Sequence, residues 1–294
     1  MNIGIIGIGN MGLGIALRLL GCGHDVTVRD LRPEREALAA SLGAAVAPSA
    51  AAVARSAQLL IVVVVDATQC DEVLFGEHGA VAALPAGAAV MLCPTIAPAD
   101  VERIAKRLAE AGLDSIDAPM SGGPLRATEG TMSLMVACSH VLFERYEPIL
   151  RQMSSRLFFI GERPGDGARI KLVNNMLAAI NLAGAAEALA LAGRIGLDPA
   201  LAQAVIEQSS GASWIGSDRM PRALAGDLAA RAHVSLLAKD SALAVAMAAA
   251  DGAHTPLGCA ASARFALACE AGWADFDDAA LYVLARLRPP PAMA

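Results

Sequence analysis

Aromatic residues are scarce, with two Trp, two Tyr and six Phe making up 3% of the chain, yet hydrophobic residues reach 55%. The apolar content is therefore Ala, Val, Leu and Ile, which points to close-packed helices and parallel strands and excludes a disordered chain. No run of five Lys or Arg occurs and the net charge is −6. The positive footprint that would neutralise a phosphate backbone is missing, so no nucleic-acid partner is expected. The longest unbroken strand-type apolar stretch, Leu59 to Val65, stops at Asp66, and the longer Ala-rich stretches carry Asn181, Glu187, Lys239 or Asp240. None matches the roughly 20 apolar residues of a bilayer span, so no membrane helix is expected. The six cysteines (Cys22, Cys70, Cys93, Cys138, Cys259, Cys269) show neither a CxxC pair nor a metal-ligand spacing. They read as reduced, mostly buried thiols, and no metal site is expected. A strand pattern beginning at Asn2 leaves no leader to be expected, which makes the cytoplasm the expected compartment.

At 294 residues the chain has room for one large or two ordinary domains. Short β-branched runs alternate with helical segments through the first half: Asn2–Ile6, Asp25–Val28, Leu59–Val65, Ala89–Leu92, Ser115–Asp117 and Leu134–Ala137. That rhythm predicts parallel strands joined by crossover helices. Leu59 to Val65 is apolar at every position, as a strand covered on both faces must be, and is expected in mid-sheet. After Phe158–Ile160 and the loop Gly161–Gly167 the strand signals end, and Ala- and Leu-rich helical periodicity runs to about Arg288. The expected architecture is an α/β Rossmann domain, residues 1–163, followed by an all-α domain, residues 164–294. A long interdomain helix from about Asp166 to Arg194, roughly 40 Å at about 1.5 Å per residue, is expected to join them. The tail Pro289 to Ala294 is expected to fray.

The first strand runs straight into Gly7-Ile8-Gly9-Asn10-Met11-Gly12, which opens a helix to Leu20. A GxGxxG string alone says little, but strand, turn, helix and a following strand with an acid at its end form the dinucleotide-binding context. Gly7 permits the tight turn, Gly9 lets backbone approach the pyrophosphate, and Gly12 lets helix pack on strand. The N–H groups of this turn and the positive end of the helix, including Asn10 and Met11, then meet the phosphates. Asp30 lies 18 residues beyond Gly12, where its carboxylate can accept from ribose hydroxyls and repel a 2′-phosphate. NAD is therefore expected rather than NADP, although Arg29 and Arg32 flank the acid and either offers a partner to a phosphate.

Ser121-Gly122-Gly123 follows a strand end and lacks side-chain bulk at two positions. Consecutive backbone N–H groups there can form a concave anion site beside the Ser121 hydroxyl, suited to a substrate carboxylate. Lys171 falls at the start of the long helix, just after a Gly-rich loop, and is followed by Leu-Val rather than by charges. Asn175 is four residues on and shares its helix face. A lysine that exchanges a proton with a hydroxyl at neutral pH needs its pKa lowered from about 10.4 to about 7–8, by desolvation or a cationic neighbour. Five histidines (His24, His78, His140, His233, His254) come with no nucleophile elbow or ligand pair and read as structural.

Four blocks together, Gly7–Gly12 with Gly23-His24, Asp117–Gly123, Gly165–Asn175 and Lys239-Asp240, resemble the β-hydroxyacid dehydrogenase family over nearly the whole chain. The resemblance implies oxidation of a small hydroxyacid, with Lys171 as general acid/base and Asn175 orienting the substrate. It also implies that Lys239 contacts the cofactor, that Asp240 braces helix packing and that Thr95 borders the nicotinamide, although Pro94 stands where the family has Ser or Thr. The stretch Val65-Asp66-Ala-Thr-Gln69, with Val65 and Asp66 at the strand end on the cofactor side, looks like the L-threonate dehydrogenase subgroup. Ser213-Trp214 and Arg219-Met220 add to that likeness. Asp66 replaces the subgroup's Asn, and Asn174-Asn175 replaces its His-Gln, which keeps 3-hydroxyisobutyrate dehydrogenase and tartronate semialdehyde reductase as alternatives. Asp66 reads equally as a solvated loop acid or as a group facing a polyhydroxylated substrate. An imine reductase shares the plan but has another residue where Lys171 stands, and a non-catalytic cofactor-binding protein would not need Ser121, Lys171, Asn175 and Lys239 together. The resemblance further implies a homodimer or homotetramer.

Overall fold

Ile3, Ile5 and Ile6 are buried in the first strand, β1 (Asn2–Ile6), so this strand takes a place inside a sheet rather than at its edge. The computed structural model describes residues 1–287; the expected fraying tail, 289–294, lies outside the described residues. Two compact units are present, Met1–Lys171 and Leu172–Ala294.

In the first unit, β1 is followed by α1 (Asn10–Gly21), β2 (Asp25–Arg29), α2 (Pro33–Ser41), β3 (Ala45–Val46), α3 (Ala50–Ala54) and β4 (Leu59–Val62). Then come α4 (Ala67–Phe75), β5 (Ala89–Leu92), α5 (Pro98–Glu110), β6 (Asp114–Asp117), β7 (Met120–Ser121) and α6 (Gly123–Glu129). The unit closes with β8 (Met132–Ala137), α7 (His140–Met153), β9 (Ser154–Gly161) and the start of α8 (Asp166–Arg194). The sheet order is β3-β2-β1-β4-β5-β6-β8-β7, with β9 on β8. Strands β1 to β6 are parallel to their neighbours, whereas β8 runs antiparallel to β6 and β7. The first six strands follow the doubly wound Rossmann order, in which the order reverses between β1 and β4 and ligands bind at the carboxyl ends of the strands.

β4 lies in mid-sheet with all four residues buried, as its unbroken apolar run predicts. Its neighbours explain why the strand stops at Val62 and not at Val65. Val62 is the last residue in register with Ile6 of β1 and Leu92 of β5, which are themselves the last residues of those strands. Alternate residues of the central strands face opposite sides. Ile61 and Met91 pack with Ile15 and Leu19 on one face, and Leu60 and Val90 pack with Ile104 and Leu108 on the other.

The second unit is helical: the remainder of α8, then α9 (Pro199–Glu207), α10 (Trp214–Leu224), α11 (Val234–Ala250), α12 (Pro256–Ala268) and α13 (Leu281–Arg286). α8 has the expected limits, and the unit boundary falls inside it. By length and composition alone α8 could span a membrane. Ala179, Leu182, Ala186 and Leu189, however, are buried with Phe265 of α12 and Met220 of α10 in the core of this unit. Such burial is what a core helix of a globular protein shows. The scarcity of aromatics is met by Ala-rich contacts that let helices approach closely.

Candidate active site

The turn between β1 and α1 keeps the shape its glycines allow. Gly7 has φ +88, and a Cβ there would collide with the Val63 carbonyl; a Cβ on Gly12 would collide with the Gly7 carbonyl. Gly9 is different, because a Cβ there would meet only Arg32 Nη2, at 3.5 Å. Gly9 is also the N-cap of α1, and no side chain caps this helix end. An open helix N-terminus beside a glycine that tolerates close approach suits the pyrophosphate of a dinucleotide.

Asp30, at the end of β2, is buried and turned toward the same loop. Its Oδ2 accepts from the Ile8 N–H at 2.8 Å, and its Oδ1 accepts from the Arg32 N–H at 3.0 Å and from Arg32 Nε at 3.4 Å. The carboxylate thus braces the glycine turn from the carboxyl end of β2. The flanking cations are engaged: Arg29 Nη1 lies 2.5 Å from Glu36 Oε1 and Arg32 Nε 3.4 Å from Asp30 Oδ1, while Arg35 Nη2 donates to Asn10 Oδ1 at 3.0 Å. Arg35 is absent from the sequence reading. It sits in α2, and only the packing of that helix end shows that it reaches the phosphate turn.

Val65 and Asp66 stand just past the carboxyl end of β4. Asp66 is the N-cap of α4: its Oδ1 accepts from the Gln69 N–H at 2.8 Å while Gln69 Oε1 accepts from the Val65 N–H at 3.0 Å. This reciprocal pair is a capping box. It gives Asp66 a local role that neither reading of the sequence had assigned, although Asp-x-x-Gln before a helix is a legible signal for it. Thr95 follows β5 at the same edge of the sheet and is half-buried.

Ser121 ends β7, and the chain turns through Gly122 (φ +138) and Gly123 (φ +77) into α6. Four residues before Ser121, Asp117 ends β6 with its side chain 3% exposed. Its Oδ2 accepts from the N–H groups of Gly165 at 3.0 Å and Ala168 at 3.1 Å. Burial pushes the Asp117 carboxyl up to about 7, against the pull of backbone donors from Ala168, Gly165 and Gly167. Lys171 follows on α8 and is 7% exposed.

Within the helical unit, Asn175 is also 7% exposed, one turn past Lys171 along α8. Its Nδ2 donates to Asp240 Oδ2 at 2.6 Å, and its Oδ1 accepts from Asn174 Nδ2 at 3.0 Å. The second Asp240 oxygen lies 2.7 Å from Lys239 Nζ. Asp240, expected to brace helix packing, therefore also sets the orientation of the Asn175 amide and holds Lys239. A shared carboxylate that fixes an amide in this way settles which edge of the amide is turned outward.

Residues 2–161 match the family described as the NAD-binding domain of 6-phosphogluconate dehydrogenase. Residues 165–285 match the family described as NAD-binding of NADP-dependent 3-hydroxyisobutyrate dehydrogenase. The chain is 37% identical to an L-threonate dehydrogenase of Escherichia coli over 281 residues, 95% of this chain and 93% of that one. Among solved structures, 3-hydroxyisobutyrate dehydrogenase from Salmonella typhimurium is 35% identical with a TM-score of 0.90, covering 96% of this chain and 99% of that one. Psf3, solved in complex with NADP+ and 2-OPP, is 28% identical with a TM-score of 0.90, covering 96% and 99%. With a glycine turn made for a dinucleotide, a helical second unit and likeness along almost its whole length, the chain belongs to the β-hydroxyacid dehydrogenases of the 3-hydroxyisobutyrate dehydrogenase type, NAD(P)-dependent oxidoreductases that act on CH–OH groups.

Proposed function

We propose that this enzyme oxidises a small sugar acid, L-threonate or a close relative, to the oxo acid, using NAD and Lys171 as the general base. The observation that carries the reading is the pair Lys171 and Asn175, both 7% exposed and one turn apart on α8, in a chain 37% identical to an L-threonate dehydrogenase over 95% of its length. A lysine acts as a base only as the neutral amine, the form that desolvation of an ammonium favours in general. Ser121 and the N–H groups of Gly122 and Gly123 hold the substrate carboxylate. The Asn175 amide, oriented by Asp240, is the proposed hydrogen-bond partner of the substrate, and Lys171 Nζ takes the hydroxyl proton as the C=O bond forms. A bound nicotinamide supplies the hydride acceptor. In the reverse direction the Lys171 ammonium returns the proton.

NAD is favoured over NADP because the buried Asp30 carboxylate would repel a 2′-phosphate, and because Arg29 and Arg32 are paired with Glu36 and with Asp30 itself. The remaining roles follow from position at the strand ends: Gly7, Gly9, Asn10, Met11 and Gly12 for the pyrophosphate, and Val65, Asp66 and Thr95 along the cofactor edge. Lys239 adds a cation that Asp240 holds in place. A domain boundary at residues 163/164, a homodimer or homotetramer and a cytoplasmic location belong to the same reading.

An absorbance screen with NAD and NADP against L-threonate, D-glycerate, 3-hydroxyisobutyrate and 4-hydroxybutyrate tests it. The highest kcat/KM is expected for L-threonate with NAD. A clear preference for 3-hydroxyisobutyrate would move the substrate to a simple 3-hydroxyacid, and dinucleotide binding without turnover of any acid would leave a cofactor-binding protein.

A further inference from the structure

α8 has an acid of its own in its first turn, but that acid does other work. Asp166 Oδ1 pairs with Arg169 Nη1 at 2.9 Å and with Arg163 Nε at 3.6 Å. The N–H groups that open the helix are received by Asp117, 48 residues before Gly165 and 51 before Ala168. We propose that Asp117 is a positioning residue: delivered from the end of β6, its carboxylate grips the first turn of α8 and so sets where the Lys171 side chain stands. The proposal rests on the reading of Lys171 as the acid/base.

The fit is too close for anything but glycine at one position. A Cβ on Gly167 would lie 2.9 Å from Asp117 Cγ and Oδ2 and 2.8 Å from the Met135 carbonyl. Gly165, at φ +90, supplies the sharp entry that aims its N–H at the same oxygen. Lys171 follows Gly167 by four residues, the spacing at which a helix repeats its face and at which the 171 N–H bonds the 167 carbonyl. A shift of the first turn therefore moves Lys171 directly. The chain segment that ends in Asp117 continues through Ala118 to Ser121-Gly122-Gly123. One strand end thus carries the proposed carboxylate site and also holds the helix of the proposed base, which fixes the separation of the two within a single unit.

The groups that interact electrostatically with Asp117 include Asp166 on α8, Cys93 after β5 and Cys138 after β8. Burial pushes the Cys138 thiol up to about 12 and the Cys93 thiol higher still, so both stay neutral and Asp166 is the charged neighbour. Asp117 itself, raised to about 7, ionises in the working range of a dehydrogenase. Burial disfavours its ionised form, so opening of the turn that hydrates the carboxylate is favoured as pH rises toward about 7, and the grip on α8 loosens.

The test compares full-length Asp117→Ala, Asp117→Asn, Lys171→Ala and the parent enzyme. The measurements are kcat and KM for NAD and for whichever of the four acids gives turnover, NADH binding stoichiometry, and amide exchange over residues 165–171 between pH 6 and 8. Asp117→Ala is expected to lose at least 30-fold in kcat with KM for NAD within threefold, full NADH stoichiometry and faster exchange in 165–171. Asp117→Asn, whose amide oxygen can accept the same N–H groups, is expected to recover most of kcat. It is also expected to remove the loss of exchange protection that the parent shows as pH rises toward about 7. A kcat within threefold of the parent in Asp117→Ala overturns the proposal. So does a fall in kcat that tracks lost NADH stoichiometry and is not rescued by Asp117→Asn. Near-normal turnover in Lys171→Ala removes the acid/base reading instead, and exchange in 165–171 then decides by itself whether Asp117 holds the turn.

Discussion

Two helices of the first unit begin at strand ends, and their N-termini are finished in opposite ways. α1 starts at Gly9 with no side-chain cap, whereas α8 starts with its N–H groups filled by the buried Asp117 carboxylate. Helix N-termini carry partial positive charge and several N–H groups without partners in the helix. Left open, such an end is an anion site; filled by the protein's own acid, it becomes a fixed point. The first arrangement suits a cofactor that comes and goes. The second suits a side chain that must not move.

The sharpest way to break the comparison is at the end of the fixed arm. Lys171→Ala should lower kcat by about 10²–10⁴-fold, the usual contribution of a positioned acid/base, while NADH still binds at the open end of α1. Stopped-flow turnover beside NADH fluorescence titration checks both halves. At the open end, Gly12→Ala drives a methyl into the Gly7 carbonyl. Overpacking of this kind should cost about 1–3 kcal/mol of stability, and NAD affinity should fall more than tenfold while residues 165–171 keep their amide protection. Urea melts and isothermal titration give the two numbers.

The filled end also has a pH signature. Asp117 is raised from 3.8 to about 7, so between those values the folded protein holds a proton that the unfolded chain has released. Stability from this group is therefore highest at low pH and falls as pH rises from about 4 to about 7. The buried Asp278 of the helical unit, raised to about 6, acts with the same sign over a shorter range. Urea midpoints at pH 5 and pH 8 should differ less in Asp117→Asn than in the parent. The smallest effect is expected at a third helix N-terminus, that of α4. Gln69→Ala breaks half of its capping box and should cost about 0.5–2 kcal/mol with kcat within twofold of the parent.

Much of this was legible before any coordinates. The limits of α8 follow from an Asp after a Gly-rich loop and an Arg before Ile-Gly, and the mid-sheet place of β4 follows from four buried apolar residues in a row. The glycine turn was legible for the same reason, because strand, glycines and helix are consecutive in the chain. Three features were not read. Arg35 lies on a helix whose packing alone brings it to Asn10, and the Asn175–Asp240 bond joins residues 65 apart. The contraction of β4 to Val62 depends on where its pairing with β1 and β5 ends. The capping role of Asp66 is of another kind, since its Asp-x-x-Gln signal is local and legible, yet the residue reads equally as a solvated loop acid or a substrate contact.

By itself the sequence determined the fold class, the dinucleotide turn and the family, because each is written in residues within a few positions of one another. Only the tertiary structure decided which helix end is open and which is filled. That choice rests on an aspartate at a strand end meeting amides some fifty residues later in the chain, a closeness created by the antiparallel pairing of β6 with β8 and the parallel pairing of β8 with β9, which no local spacing records.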